Sequence, residues 1–289
     1  MNPTTRLSPE WRDWIAHNLA RGCEPKALIA DMIRASFDPD FASSAVLGFI
    51  KQGSGGAAPA ATAYVYETPR LAPGNLISTP DRDIRVTMRV ERPVVAFLDN
   101  VLSEEECDEL VRRSADKLER STIVDPASGV HEVIPDRTSD GTFFPLNADP
   151  FIARLDRRIA ALMNMPVDNG EGLQILHYRT GGQYTPHYDY FPPDYPGSGT
   201  HIANGGQRVS SLVMYLNDVE EGGATVFPEL KLKVGPKKGG AVYFEYCNSK
   251  NQVDPLTLHG GMPVLKGEKW IATKWMRQRR YALAPTATA

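Results

Sequence analysis

The sequence predicts a mainly β protein, a β-sandwich or jelly roll with supporting α-helices, preceded by a small N-terminal α-helical segment. Three observations carry this. Beyond Gly170 the chain breaks into short strand-like runs separated by glycine and proline turns. Two helical periods precede those runs. A tract of glycine, alanine and proline, Gly53-Ser-Gly-Gly-Ala-Ala-Pro-Ala-Ala-Thr-Ala63, divides the chain. The expected division is a helical segment over 1–52, a flexible or extended linker over 53–80 and one large domain over 81–283.

In the helical segment, Ser8-Pro9-Glu10 supplies a cap, a first-turn proline and an early acid ahead of Trp11, Trp14, Ile15 and Leu19 at helical spacing, and Gly22 is the expected stop. Pro25 opens a second helix with Leu28, Ile29, Met32 and Ile33 as its apolar face. Asp38-Pro39 opens a third, with Phe41, Val46, Phe49 and Ile50. Residues 64–80 read as extended chain over a surface. In the large domain, Ile84, Val86, Met88 and Val90 alternate with polar residues as a half-buried strand does. Ser103-Glu-Glu-Glu106 is a capping box before a helix carrying Leu110, Val111 and Leu118. Asp149-Pro150 opens another, with Phe151, Ile152, Leu155, Ile159 and Leu162. Strands are expected over 172–179, 183–189, 207–216, 241–246 and 268–276.

Composition narrows the function. The 289 residues carry a net charge of −3, which argues against coating nucleic acid or an anionic membrane. Residues 1–52 hold six basic and six acidic side chains, a poor match to a DNA-binding helix-turn-helix. The three cysteines, Cys23, Cys107 and Cys247, are far apart and form no C-x-x-C, so neither a disulfide framework nor a cysteine zinc site is expected. Neither a signal peptide nor an apolar stretch of membrane-spanning length is visible, so a cytoplasmic location is expected.

Chemistry concentrates in Thr185-Pro-His187-Tyr-Asp189-Tyr190. Residues i and i+2 of a strand share a face, so His187 and Asp189 can reach one metal ion. His259, ending a strand-like run at Gly260-Gly261, is the best third ligand. Two histidines and one carboxylate are the facial triad of non-haem iron oxygenases; zinc, which prefers a tetrahedral site, is the rival. Ten residues after His259, Lys269 shares a strand face with Ile271 and Thr273. A buried lysine requires an anion, and a dicarboxylate cosubstrate supplies one. His177, one residue from Tyr178, faces the other way and reads as structural. His131 and His201 fall in expected loops, His17 in the helical segment, and Cys247 reads as inert. The basic run Lys274 to Arg280 reads as a solvated strand end, or as a means of steering an acidic ligand.

Four blocks in order resemble the prolyl 4-hydroxylase family of Fe(II)/2-oxoglutarate dioxygenases: Gln174 to Phe191, Arg208 to Asn217, Glu221 to Pro228, and Leu258 to Trp275. Detailed similarity covers about residues 172–280; residues 93–170 resemble the family's helical support layer more loosely. The resemblance implies a double-stranded β-helix with His187, Asp189 and His259 as iron ligands. It implies that Lys269 binds the distal carboxylate of 2-oxoglutarate, with Tyr178 and Thr225 hydrogen-bonding at that end and Trp275 closing the wall. O2 is then consumed, succinate and CO2 are released, and an unactivated C–H bond is hydroxylated, with ascorbate as reductant. Because Asp189 is present, hydroxylation is expected rather than the halogenation of relatives that lack this carboxylate.

The expected substrate is peptidyl proline. Tyr184 and Arg208 match positions near the family's peptide channel. The loops 191–206 and 121–142 are expected to be lids. The alternatives are the same chemistry on a free amino acid or other small molecule, and a non-catalytic partner-binding module. Residues 1–52 are left for a partner or for self-association.

Overall fold

A computed structural model describes residues 4, 6–20, 23–53, 63–124, 131–132, 137–193 and 197–281. The chain forms two compact units, Met1–Ala63 and Tyr64–Ala289.

In the first unit, three helices, α1 (Pro9–Ala20), α2 (Pro25–Arg34) and α3 (Pro39–Gly53), enclose a small core of Ile15, Leu28, Met32, Phe37, Ala42 and Val46. Trp11 meets Trp14 and Phe37 edge-on, which fixes α1 against the turn before α3. Asp38 accepts from the amide of Phe41 and caps α3. Ile33, expected on the apolar face of α2, is 41% exposed. Leu28 and Met32 sit one turn apart and point inward, whereas Ile33 is a further 100° around the helix. The expected stop at Gly22 and most of the linker tract lie outside the described residues.

The second unit begins with β1 (Leu76–Ser78), β2 (Asp83–Val90), β3 (Val95–Asp99) and α4 (Glu104–Ser114). Next come β4 (Glu119–Arg120), β5 (Ile123–Val124), β6 (His131–Glu132), β7 (Asp140–Phe144) and α5 (Pro150–Leu162). The jelly-roll strands follow: β8 (Leu173–Tyr178), β9 (Tyr184–His187), then α6 (Ser198–Ala203), β10 (Arg208–Tyr215), β11 (Glu221–Gly222), β12 (Thr225–Phe227) and β13 (Leu232–Val234). The last are β14 (Ala241–Glu245), β15 (His259–Gly261), β16 (Val264–Lys266) and β17 (Lys269–Arg277). Nine strands form the major sheet in the order β1-β2-β3-β14-β10-β17-β8-β7-β4, and β13-β12-β15-β9 form the minor one. Together they make the double-stranded β-helix.

The two central strands of the major sheet, β10 and β17, are buried along nearly their whole length. On β17, alternation sends Lys269, Ile271, Thr273, Trp275 and Arg277 to one face and Lys274 to the other. There Lys274 donates to Asp156 of α5 at 2.7 Å, each side chain only 1% exposed. This ion pair ties the supporting helix to the sheet. It also corrects the solvated reading of the basic run: Lys274 and Arg277 are buried and paired, and only Arg279 and Arg280 are exposed.

Other expectations change at element ends. The capping box of α4 forms as expected, with Ser103 and Glu106 each accepting from the other's amide. The helix stops at Ser114, so Leu118 packs on the core from the turn beyond it. The second expected lid, 121–142, is in part a sheet strand, because Asp140–Phe144 pairs with Leu173–His177 of β8; residues 125–130 and 133–136 of it lie outside the described residues. In the first lid, residues 194–196 lie outside the described residues and α6 occupies its middle. Among the described residues no helix is long and apolar enough to cross a membrane.

Candidate active site

The minor sheet brings the two histidines together. Strands β9 and β15 are antiparallel with His187 directly opposite His259, and the ring centroids are 4.5 Å apart. This close approach needs Gly260: a Cβ there would stand 2.9 Å from the carbonyl oxygen of Tyr184 and 3.0 Å from the nitrogen of Pro186. Each imidazole donates Nδ1–H to a carbonyl two residues earlier, His187 to Thr185 at 2.9 Å and His259 to Thr257 at 3.0 Å. Both Nε2 lone pairs are thereby left to face Asp189. The Nε2 atoms lie 3.8 Å and 3.5 Å from the two Asp189 oxygens, and one ligand atom from each residue falls within 4.8 Å of the others.

Electrostatics keep these groups in their ligand forms. Burial, reinforced by His259, pushes the His187 imidazolium down to about 3, so the ring is neutral. Burial alone would raise the Asp189 carboxyl, but His259, His187, Arg208 and a hydrogen bond from Ser211 hold it below the usual carboxylate range. Two imidazoles that each present Nε2, and one carboxylate, fit a divalent iron.

The distal end is built on the major sheet. Lys269 stands opposite Tyr178 across the β17–β8 pair. Its Nζ lies 5.7 Å from the Tyr178 ring and 5.8 Å from that of Tyr215, and 3.9 Å from where a Cβ on Gly261 would be. Lys269 is 3% exposed, and among the described residues no carboxylate pairs with it. Burial therefore pushes its ammonium down to about 7. A buried lysine with no anion among the described residues, beside Gly261 two positions from His259, fits the far carboxylate of 2-oxoglutarate. Thr225 accepts from the Tyr215 hydroxyl at 2.9 Å, leaving its own proton free to donate. The Tyr178 hydroxyl hydrogen-bonds Ser139. The sequence does not mark Tyr215, because an apolar strand gives no hint of which tyrosine faces inward.

Trp275 lies on the inner face of β17, and its indole carries the Arg208 guanidinium 3.9 Å from the ring centroid. Arg208 is bound to Glu171 by two hydrogen bonds, 2.6 and 2.9 Å, and its Nη1 donates to the Asp189 carbonyl at 3.3 Å. Glu171 also accepts from Arg277 at 2.6 Å. Burial would raise the Glu171 carboxyl, but Arg208 and Arg277 hold it below its ordinary range. Tyr184 stacks on His187 with centroids 3.6 Å apart and lies under Arg137 at 5.0 Å. His177 is away from this cluster, hydrogen-bonded to Glu268 at 2.7 Å and stacked on Trp270. Cys247 is buried, its thiol pushed up to about 11 by desolvation.

Comparison with known proteins agrees with this geometry. Residues 173–277 match the 2OG-Fe(II) oxygenase superfamily. Probable prolyl 4-hydroxylase 10 of Arabidopsis thaliana is 40% identical over 208 residues, covering 65% of this chain and 70% of that protein. Probable prolyl 4-hydroxylase 3 of the same plant is 41% identical over 203 residues, covering 64% and 69%. Among solved structures, a viral collagen prolyl hydroxylase of Paramecium bursaria Chlorella virus 1, in complex with 2OG, aligns with a TM-score of 0.50 and 30% identity, over 63% of this chain and 95% of that one. A facial triad beside a buried unpaired lysine, in a chain of this similarity, is that of an Fe(II)- and 2-oxoglutarate-dependent dioxygenase: the chain belongs to the 2OG-Fe(II) oxygenase superfamily, among the relatives of the prolyl 4-hydroxylases.

Proposed function

We propose that this dioxygenase hydroxylates proline within a polypeptide. The observation that carries the reading is the similarity to plant prolyl 4-hydroxylases, about 40% identity over some two thirds of this chain, together with the His187, Asp189 and His259 cluster. His187, Asp189 and His259 hold the iron, and Lys269 holds the distal carboxylate of 2-oxoglutarate, aided by Thr225 and Tyr178. When bound, iron and 2-oxoglutarate supply the oxidant from O2, releasing succinate and CO2. The protein contributes orientation and exclusion of water. Trp275 and Arg208 form the wall beside Asp189, and Tyr184 braces His187 at the mouth where a peptide would lie. Ascorbate would be the reductant that supports this chemistry. The helical segment 1–52, joined by residues 53–80 to the catalytic domain, is an accessory that engages a partner or a second copy.

The test is a substrate screen with iron, 2-oxoglutarate and either proline-containing peptides or free amino acids, read by mass spectrometry. Peptides that gain one oxygen at proline support the reading. Oxidation of free amino acids alone contradicts it, and succinate release from neither would favour a partner-binding role.

A further inference from the structure

Asp189 follows the last residue of β9 by two positions, so no sheet hydrogen bonding of its own strand fixes its side chain. Its support comes from across the barrel, from β10. Ser211 Oγ donates to Asp189 Oδ2 at 2.5 Å and lies 3.0 Å from the hydroxyl of Tyr246. Ser211 and Tyr246 are both wholly buried. A serine has one proton and an ionised carboxylate only accepts. Ser211 therefore spends its proton on Asp189, and the Tyr246 hydroxyl must donate to Ser211. The polarity of the whole chain is set: Tyr246 O–H to Ser211 Oγ, Ser211 O–H to Asp189 Oδ2.

The backbone explains how this is assembled. Residues 208 and 211 would point to opposite faces of a regular strand. The register against β17 slips between Arg208 and Ser210, where two steps on β10 match one step from Arg277 to Met276. That bulge turns both Arg208 and Ser211 inward. Arg208 then holds the Asp189 carbonyl while Ser211 holds its carboxylate.

We infer that Tyr246 and Ser211 form a one-way hydrogen-bond relay that positions Asp189 as a ligand, engaging Oδ2 so that the carboxylate binds iron in a single orientation. Ser211 and Tyr246 are positioning residues, since neither belongs to the ligand set. The inference rests on His187, Asp189 and His259 being the ligands, and a His259→Ala control tests that separately.

The experiment titrates the full-length apoprotein with Co(II) alone, reading affinity and the visible absorption of the bound ion. Outer-shell partners of metal ligands are typically worth about 10- to 100-fold in affinity. Ser211→Ala is expected to weaken Co(II) by about tenfold or more and to alter the spectrum, and Ser211→Thr, which keeps the hydroxyl, to recover most of both. Tyr246→Phe is expected to weaken it less, and to add nothing in a Ser211→Ala background, because its effect passes through Ser211. Should Ser211→Ala fail to fold, Ser211→Thr and Tyr246→Phe still decide the matter. Parental affinity and spectrum in Tyr246→Phe, or additive losses in the double variant, would overturn the relay. Retention of stoichiometric Co(II) by His259→Ala would instead overturn the ligand set.

Discussion

The proposed chemistry turns, after the triad, on Lys269, a buried lysine with no carboxylate partner among the described residues. Removing one partner of a buried pair costs about 3–5 kcal/mol, so Lys269→Ala is expected to raise the KM for 2-oxoglutarate by roughly two to four orders of magnitude while Co(II) still binds. Unchanged KM would contradict the role. Burial pushes the free ammonium down to about 7. Below that pH the charge is already present; above it, binding the dicarboxylate requires uptake of a proton. Apparent affinity for 2-oxoglutarate should therefore fall as pH rises beyond 7, and Lys269→Arg, whose guanidinium stays charged, should flatten that slope. A pH-independent affinity in the parent protein would contradict it. Legibility at this scale was uneven. His187 and Asp189 could be read because a two-residue spacing is local, and Lys269 through its resemblance-bearing motif. Glu171, Ser211, Tyr215 and Tyr246 join the site only through strand pairing, and in Ser211 through a bulge that reverses the parity of its strand.

At the scale of elements, the site depends on how closely β9 and β15 approach and on how firmly the major sheet is backed. Gly260 allows the first. Gly260→Ala introduces a Cβ against backbone atoms, so it is expected to push His259 away from His187 and weaken Co(II) binding about tenfold or more, measured by the same titration. The second depends on the pair between Asp156 and Lys274. Asp156→Ala strands a buried ammonium and also removes the acceptor of the Asn147 amide. A loss of about 3–5 kcal/mol in urea unfolding is expected, and a loss below about 1 kcal/mol would show that the pair is not holding α5 to β17. Helix starts were legible because caps and prolines are local signals: Ser103, Asp149 and Pro150 stand where the sequence places them. Helix ends and the edge strand β7 were less so. Leu118 continues the helical period past the true end of α4, and the Gly141-Thr-Phe-Phe144 segment becomes a strand only because β8 offers it an edge.

For the whole molecule, the catalytic machinery lies within Tyr64–Ala289, and the three helices of Met1–Ala63 have a core of their own. Deleting residues 1–63 is therefore expected to leave iron-dependent succinate formation measurable; a folded truncation without turnover would show that the helical unit is more than an accessory. The division was visible in composition, because the glycine- and alanine-rich tract separates two hydrophobic patterns, and the jelly roll was visible in its many short strands. Sheet order was not, since partners such as β3 and β14 are more than 140 residues apart in places and nothing local encodes their pairing. In the proposed function, His187, Asp189, His259 and Lys269 form a centre that couples 2-oxoglutarate decarboxylation to proline hydroxylation. The most direct measurement is turnover of a proline-rich peptide under isotopically labelled O2. One labelled oxygen is expected in hydroxyproline and one in succinate, in equal amounts. Labelled succinate with an unmodified peptide, whatever the proline sequence offered, would contradict it.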